Sequence, residues 1–499
     1  MLSLDGDEKA PVDLGPERGS DASGRIGERM SRGRRIALNT VFLSAAQVMG
    51  AVLGIVVVGR VAAILGPTDY GMLEGAISYV SLFTPIVFAG IQLILIRDVC
   101  EKPEIAARAV GDALLVRAAL LPVFVGCVVL FLPDAIRGYG WPLLAIGLVN
   151  GFLIYYLQCF ELIFEAFERM WVMAVAVVAC YAVGITGSYV AAVLGWGPVG
   201  VLAARASSVV VQTLVLVVGM RVMFFAPAFE IDVARCAGHL RRGLPLLVSV
   251  ALNMLLLEVG RTTLASARPA AEVGLYSTAA TLSSKFLLFI HALTQAVQPG
   301  LCKSWIEGSG AYADLLGRAL RFVLLLTLPM GLGALFVADD LIVLIFGDEY
   351  REAGGVMTIL MFAVHLQFLS HVLNASVVAR GRENMVLVGA AIAVGVNATL
   401  AALLIPTHGT VMAAAVTVLS QVVLVLFFSW VQRDNLPVIV RQLKLVRVGL
   451  ANAVLVGVCI LTRDLGMFVI IPAAAAAYAL AILGLRCIDR AEIRAITGR

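Results

Sequence analysis

Three cations lie within apolar stretches long enough to be buried in a membrane: Arg205, Arg261 and Lys285. Lys285 is the clearest, roughly 14 Å into its stretch at about 1.5 Å of helix rise per residue. An ionisable group at that depth is costly unless it faces a hydrated cavity or a partner. At 100° per residue, Ser277, Thr281, Ser284, Lys285, His291, Gln295 and Gln298 fall within roughly 140° of arc. One helix thus carries a polar stripe from end to end. It reads as the wall of a hydrated lumen, against the plainer alternative of hydrogen bonds between packed helices. Arg205, Ser208 and Gln212 give a second, shorter stripe. Arg261 has Glu258 three residues before it, so an ion pair along the helix competes with exposure to a lumen. Arg60 is kept as a fourth basic candidate, although it can snorkel to water and points away from a stripe of Thr40, Ser44 and Gln47. A cationic, hydrated cavity attracts a diphosphate and repels cations. Lys285, Arg205, Arg261 and Arg60 are therefore the candidate anion ligands, and Gln47, Ser284, His291, Gln295 and Gln298 the candidate lumen wall. Glu258 and Glu161 (with Glu165 beside it) are candidate ligands for a coupling ion; an interfacial charge or a local pair is the alternative.

The elements that position these residues are membrane helices. The chain has 499 residues, 61% of them hydrophobic and 14% charged, with a mean hydropathy of +0.97. Soluble domains carry roughly 25% charged residues. A spanning helix needs about 20 apolar residues, and inside lipid each backbone amide must be paired within its own segment. The expected class is an all-α integral membrane protein of about 14 transmembrane helices. The spans are expected near 36–59, 72–96, 110–133, 141–164, 170–194, 199–220, 244–266, 275–298, 319–337, 354–378, 384–405, 409–431, 446–462 and 466–486.

The positive-inside rule fixes the orientation. With the N-terminus cytoplasmic, only Arg60, Arg137, Arg268, Arg351 and Arg463 of the 37 Lys and Arg fall in outer loops. Three lie inside spans, and the rest sit on cytoplasmic tails, loops and adjoining helix ends. Both termini are expected inside: a flexible tail at 1–35, with Arg29, Arg32, Arg34 and Arg35 against anionic headgroups, and a short tail at 487–499.

An internal repeat divides the chain. Val58-Gly59-Arg60, then Pro67 and Gly71, closes the first span and opens the second. Val259-Gly260-Arg261, then Pro269 and Gly274, does the same for the seventh and eighth. Arginine pairs precede both, Arg34-Arg35 and Arg241-Arg242. An offset of six helices gives two lobes of like orientation, at 36–220 and 244–432, joined by a cytoplasmic linker at 221–243. Two additional helices follow at 433–486. Repeats of this kind mark transporters, with the substrate between the halves.

Other chemistries find little support. The five histidines include no i,i+4 pair and no HExxH, and no GxxxxGK followed by Ser or Thr occurs. The eight cysteines are scattered without a C-x-x-C. No cofactor or metal is expected, and a net charge of +4 does not suggest nucleic acid.

Leu65-Gly66-Pro67-Thr68-Asp69-Tyr70-Gly71, Ala89-Gly90 with Ile96-Arg97-Asp98, and Glu165-Ala166-Phe167-Glu168-Arg169 resemble bacterial O-antigen and exopolysaccharide flippases. Glu272-Val273-Gly274-Leu275-Tyr276, Pro299, Ile405-Pro406 through Gly409, and Ala413-Ala414-Ala415 are similar to the same family, in the same order, from about 36 to 432. The resemblance implies the multidrug/oligosaccharidyl-lipid/polysaccharide exporter fold: two six-helix lobes in a V plus two C-terminal helices. It also implies flipping of an undecaprenyl-diphosphate-linked glycan across the inner membrane, beside polysaccharide polymerases or glycosyltransferases. Gly260 stands where that family usually has an Asp before the Arg of its seventh helix. Lipid II flipping, drug/cation antiport in the same superfamily, and a membrane glycan polymerase or ligase are the rivals. The antiporters normally have twelve helices and an acidic lumen, and the enzymes a large outer loop.

Overall fold

The computed structural model describes residues 32–488, with the side chains of 32–49 and of scattered positions such as His291 and Gln295 left out. Both expected terminal tails fall almost wholly outside this range. The described chain is almost wholly helical, with a non-helical stretch at 225–232. In order its helices are α1 (Arg32–Ser81), α2 (Thr84–Phe88), α3 (Ile91–Glu101), α4 (Ala106–Leu130), α5 (Asp134–Arg137) and α6 (Trp141–Ala166). Then come α7 (Met170–Val193), α8 (Gly197–Met223), α9 (Val233–Ala267), α10 (Ala270–Ser284), α11 (Leu288–Glu307) and α12 (Ser309–Phe346). The last are α13 (Ala353–Ala379), α14 (Glu383–Val431), α15 (Leu436–Leu443), α16 (Leu445–Leu461) and α17 (Met467–Gly484). Ten helices among the described residues are long and apolar enough to cross a membrane, or eleven when the pair bent by 47° around Lys444 counts as one span.

Two of those helices each hold two spans. At Gly66 (φ 76°, ψ 167°) α1 breaks, and Pro67 follows, its ring lacking the amide that would continue the ladder. At Gly409 (φ 66°, ψ −145°) α14 breaks in the same way, three residues after Pro406. Each of the fourteen expected spans therefore has a helical counterpart, but several boundaries differ. The loop expected between the first two spans is a single glycine break. The second span is in three pieces, broken by a turn at 82–83 and again where Ala89 and Gly90 both adopt left-handed backbone (φ 54° and 66°). The eighth span is in two pieces, α10 and α11, joined by a 3-10 turn at Lys285–Leu287. The seventh begins at Val233, so the second half of the expected linker is helix.

Burial shows how the halves join. One hydrophobic core draws on both, from Val61, Tyr70 and Ile136 to Leu264, Tyr276, Tyr350 and Ile405. These residues cluster around the segments expected to face outward. Toward the inner side the core divides. One cluster packs α3, α4, α6 and α8 around Leu95, Phe160 and Phe164; another packs α11–α14 around Leu301, Tyr312 and Phe368. Shared packing at one end and separate packing at the other make the V. The last two helices, α16 and α17, form their own cluster against α12.

The two copies of the repeat meet at the outer end. A Cβ on Gly71 would overlap the backbone of Ala270 and Gly274, and one on Gly274 would overlap the backbone of Pro67. Only glycine permits this approach. Two tyrosines add reciprocal bonds: Tyr350 donates to the Ala62 carbonyl (2.8 Å) and Tyr139 to the Ala265 carbonyl (3.2 Å). Each tyrosine comes from the other half, and each follows or lies within a loop carrying an i,i+3 ion pair, Asp134–Arg137 (3.0 Å) and Asp348–Arg351 (2.9 Å).

Candidate functional site

The expected cations come together with a residue not anticipated among them. Glu74 projects from α1 one turn beyond the Gly71 contact and is buried, its side chain 9% exposed. Its Oε1 accepts a hydrogen bond from Arg205 Nη1 of α8 at 2.9 Å. Its Oε2 lies 3.8 Å from Arg261 Nη1 of α9, in the other half. Arg261 also pairs with Glu258 at 3.7 Å, the local pair that the sequence left open. Ser78 donates to Glu258 Oε2 at 2.7 Å and lies 3.0 Å from the Thr262 hydroxyl, another tie across the halves. Lys285, on the 3-10 turn, lines a cavity of about 250 Å³ with Arg205, Ser208, Gly50 and Gly54.

Charge balance differs from the expected basic lumen. Arg205 and Arg261 are already paired, because burying a guanidinium without a counter-charge is prohibitive. Three cations and two carboxylates leave the cluster one formal positive charge. The signal that could have revealed Glu74 is its place three residues inside the second span, where a carboxylate has the same claim to a partner as Lys285.

The remaining expected residues divide. Arg60 is exposed and takes part in no described ion pair, as snorkelling would have it. Gln47, His291 and Gln295 have side chains outside the described set, although Gly50 and Gly54, three and seven residues beyond Gln47, line the Lys285 cavity. The eighth-helix stripe is not continuous: a wheel drawn through Lys285–Leu287 assumes a helical phase that the 3-10 turn resets. Ser284 is exposed and lines a second cavity, of about 270 Å³, with Glu258, Arg261, Tyr276 and Gln367. Ser277 is wholly buried, and Gln298 is half-buried on α11.

Glu161 is not near Glu258. It lies within the N-terminal half, where Gln212 donates to it at 3.3 Å. The α8 stripe therefore fans out: Arg205 faces the cluster, Ser208 meets Cys180 of α7 at 3.5 Å, and Gln212 serves α6. Two further arginines taken as cytoplasmic are buried in the halves. Arg117 of α4 is fully buried and donates to the Tyr155 carbonyl and Cys159. Arg321 of α12 is 3% exposed and donates to the Gln442 carbonyl.

At the inner mouth α9 crosses to the N-terminal half. Arg242 clasps Asp98 of α3 with two bonds of 2.8 Å, and Gly243 meets the backbone of Ala89 and Gly90. These bonds hold the Asp98 carboxyl below its ordinary range. Arg235 and His239 converge on buried Asp112 of α4 at 2.7 and 3.3 Å.

Solved structures place this arrangement. The lipid II flippase MurJ in an inward-closed conformation superposes with a TM-score of 0.72 at 12% identity, covering 89% of this chain and 99% of that one. An inward-facing multidrug resistance MATE transporter of the MOP superfamily gives 0.62 at 13% identity, over 80% of this chain and 98% of its own. A MOP superfamily transporter from Pyrococcus furiosus, whose binding pocket is described as of reverse polarity, gives 0.52 at 14%, over 81% and 95%. At such identities these likenesses establish the fold: a multi-pass membrane protein with the MurJ/MATE transporter architecture. No curated protein sequence matches. The polysaccharide biosynthesis protein family model matches residues 36–305, which is more than half of the chain. The chain belongs to the polysaccharide biosynthesis protein family.

Proposed function

We propose that the protein flips an undecaprenyl-diphosphate-linked oligosaccharide from the cytoplasmic to the periplasmic leaflet of the inner membrane, by alternating access, for O-antigen, capsule or exopolysaccharide synthesis. Both termini are then cytoplasmic, and polymerases and glycosyltransferases are its working partners. The observation that carries this reading is the Glu74 carboxylate shared by Arg205 of one half and Arg261 of the other. A carboxylate held by two guanidiniums occupies the position a diphosphate would take, since both anions accept charge-assisted bonds from the same donors. Lys285, which makes no described ion pair, adds the positive charge that draws the headgroup in.

In this mechanism the diphosphate displaces Glu74 from the two arginines. That breaks an ionic tie between the halves and substitutes the substrate for it. A ligand shifts a conformational equilibrium only by binding one state better, and this exchange supplies the difference. The polyprenyl tail stays in lipid while the headgroup occupies the cleft, and rocking of the halves turns the cleft outward. Glu258 and Glu161 remain candidates for a coupling ion. The residual positive charge of the cluster favours this reading over cationic drug export.

The test is complementation of a strain lacking the gene, paired with flipping in proteoliposomes. Lys285→Ala and Arg205→Ala should each reduce transport at least tenfold, about 1.4 kcal/mol of lost interaction. Full complementation by both would rule out the charge model. Transport of lipid II at a rate equal to that of the oligosaccharide lipid would move the protein to cell-wall synthesis.

A further inference from the structure

The C-terminal half carries a polar surface that no charge marks. On α13, Gln367, Ser370, His371 and Asn374 fall at i, i+3, i+4 and i+7, one face of the helix. Facing them on α9 are Ser249 and Asn253, four residues apart. Between these walls lies a cavity of about 490 Å³, closed on another side by Gln421 and Phe428 of α14. Its size suits a small-molecule site, for which about 300–1,000 Å³ is usual. No described residue lining it is Asp, Glu, Lys or Arg.

The cavity is not isolated. Leu256, Leu257, Leu287 and Gln367 line both it and the smaller cavity that holds Arg261 and Glu258. The two adjoin across these side chains, one with an ionic lining and the other with a neutral one. Ser370 donates to Gln421 Oε1 at 3.3 Å, whereas the side-chain amides of Gln367 and Asn374 make no described hydrogen bond within the protein. A carboxamide offers both donors and acceptors. Two of them aimed into a cleft through a membrane protein leave bonding capacity for a ligand that presents hydroxyls.

We infer that this neutral cavity is the sugar subsite beside the diphosphate site, and that it takes uncharged, hydroxyl-rich sugar residues while excluding charged ones. The inference rests on the flippase reading above and adds a rule of selection to it. Sugar hydroxyls pair with the carboxamides and serines, and Phe428 supplies an apolar face for the carbon side of a ring. A uronic acid carboxylate, or the charged groups of a peptide stem, would leave water and meet no Lys or Arg among the described lining, where His371 is the sole ionisable side chain, and such burial is costly. Arg261, which lines the adjoining cavity, is already held by Glu74 and Glu258.

The experiment uses the full chain in nanodiscs and three probes: undecaprenyl diphosphate, the same lipid bearing a neutral disaccharide, and the same lipid bearing a disaccharide with a uronic acid next to the diphosphate. The neutral glycolipid should bind about tenfold more tightly than the bare carrier, and the uronate glycolipid no more tightly than the carrier. In Gln367→Leu and Asn374→Leu the preference for the neutral glycolipid over the carrier should disappear. Asn374→Lys should gain binding of the uronate glycolipid. Equal affinity for the two glycolipids in the unaltered protein overturns the inference, as does an undiminished preference in both leucine variants. Failure of Arg205→Ala to weaken any of the three probes overturns the flippase reading instead, and the subsite with it.

Discussion

The outer and inner ends of the interface between the halves are closed by different means. At the outer end the closure is built twice. Gly71 and Gly274 bring two backbones together, and Tyr139 and Tyr350 each reach across to a carbonyl of the opposite half. At the inner end the described closure runs along one helix, α9: Gly243 meets the backbone of Ala89 and Gly90, Arg242 (side chain 52% exposed) pairs with Asp98 of α3, and Arg235 and His239 hold buried Asp112 of α4. Both ends rest on a close glycine approach, so what differs is the bonding beside it: tyrosine hydroxyls on carbonyls at the outer end, ion pairs at the inner. The difference implies that the inner closure responds to pH and ionic strength, which act on charges, and the outer one much less.

The largest effect should come from the centre, on which both ends depend. Glu74→Ala leaves Arg205 and Arg261 buried around a missing carboxylate, a loss of about 3–5 kcal/mol in comparable sites. A sharp fall in the thermal unfolding temperature in detergent should accompany it. Undiminished thermal stability would mean that hydration and Glu258, not Glu74, keep the arginines stable there. Gly71→Val places a side chain against backbone, and overpacking of this kind costs about 1–3 kcal/mol or more. Spin-label distances across the outer mouth should lengthen while those across the inner mouth do not. A change at both ends would show that the two closures are one unit.

Removing a single latch is gentler. Tyr350→Phe should cost about 1 kcal/mol and raise the reactivity of cysteines placed in the outer mouth. Tyr139→Phe, at a half-buried residue with the longer bond, should do less. The reverse order would contradict the ranking by burial. The smallest effect belongs to the inner mouth. Because Arg242 holds the Asp98 carboxyl below its ordinary value, the pair stabilises closure at neutral pH. Its contribution is fully present above the ordinary carboxylate pKa and is lost as pH falls from there through the lowered value of the paired Asp98. Asp98→Asn should remove that dependence and loosen the inner mouth slightly at neutral pH, as read by inner-side label distances.

Much of this arrangement was legible in the sequence because it depends on local rules. Each apolar run must be helical whatever surrounds it, so the spans were readable one by one. The repeat was readable because a glycine forced by close approach leaves the same letter in both halves. The stripe through Lys285 assumes one helical phase, whereas a 3-10 turn that only the packing reveals lies at Lys285–Leu287. Glu74 was hidden because a carboxylate near a span end looks interfacial. It becomes central only because α1 continues through Gly66 with no loop and packs on α10. The Gln367-to-Asn374 face was present in the letters, but uncharged amides stand out less than lysine in an apolar run.

The contact between Gly71 and Gly274 has a consequence for genetics. Most crowded packings can be repaired by a second mutation that trims the neighbouring side chain. Here Gly71 abuts main-chain atoms of Ala270 and Gly274, and Gly274 those of Pro67, and no substitution on the facing helix makes a carbonyl smaller. A selection for restored growth after Gly71→Ala or Gly274→Ala should therefore return reversions to glycine, with compensating changes absent from the facing helix.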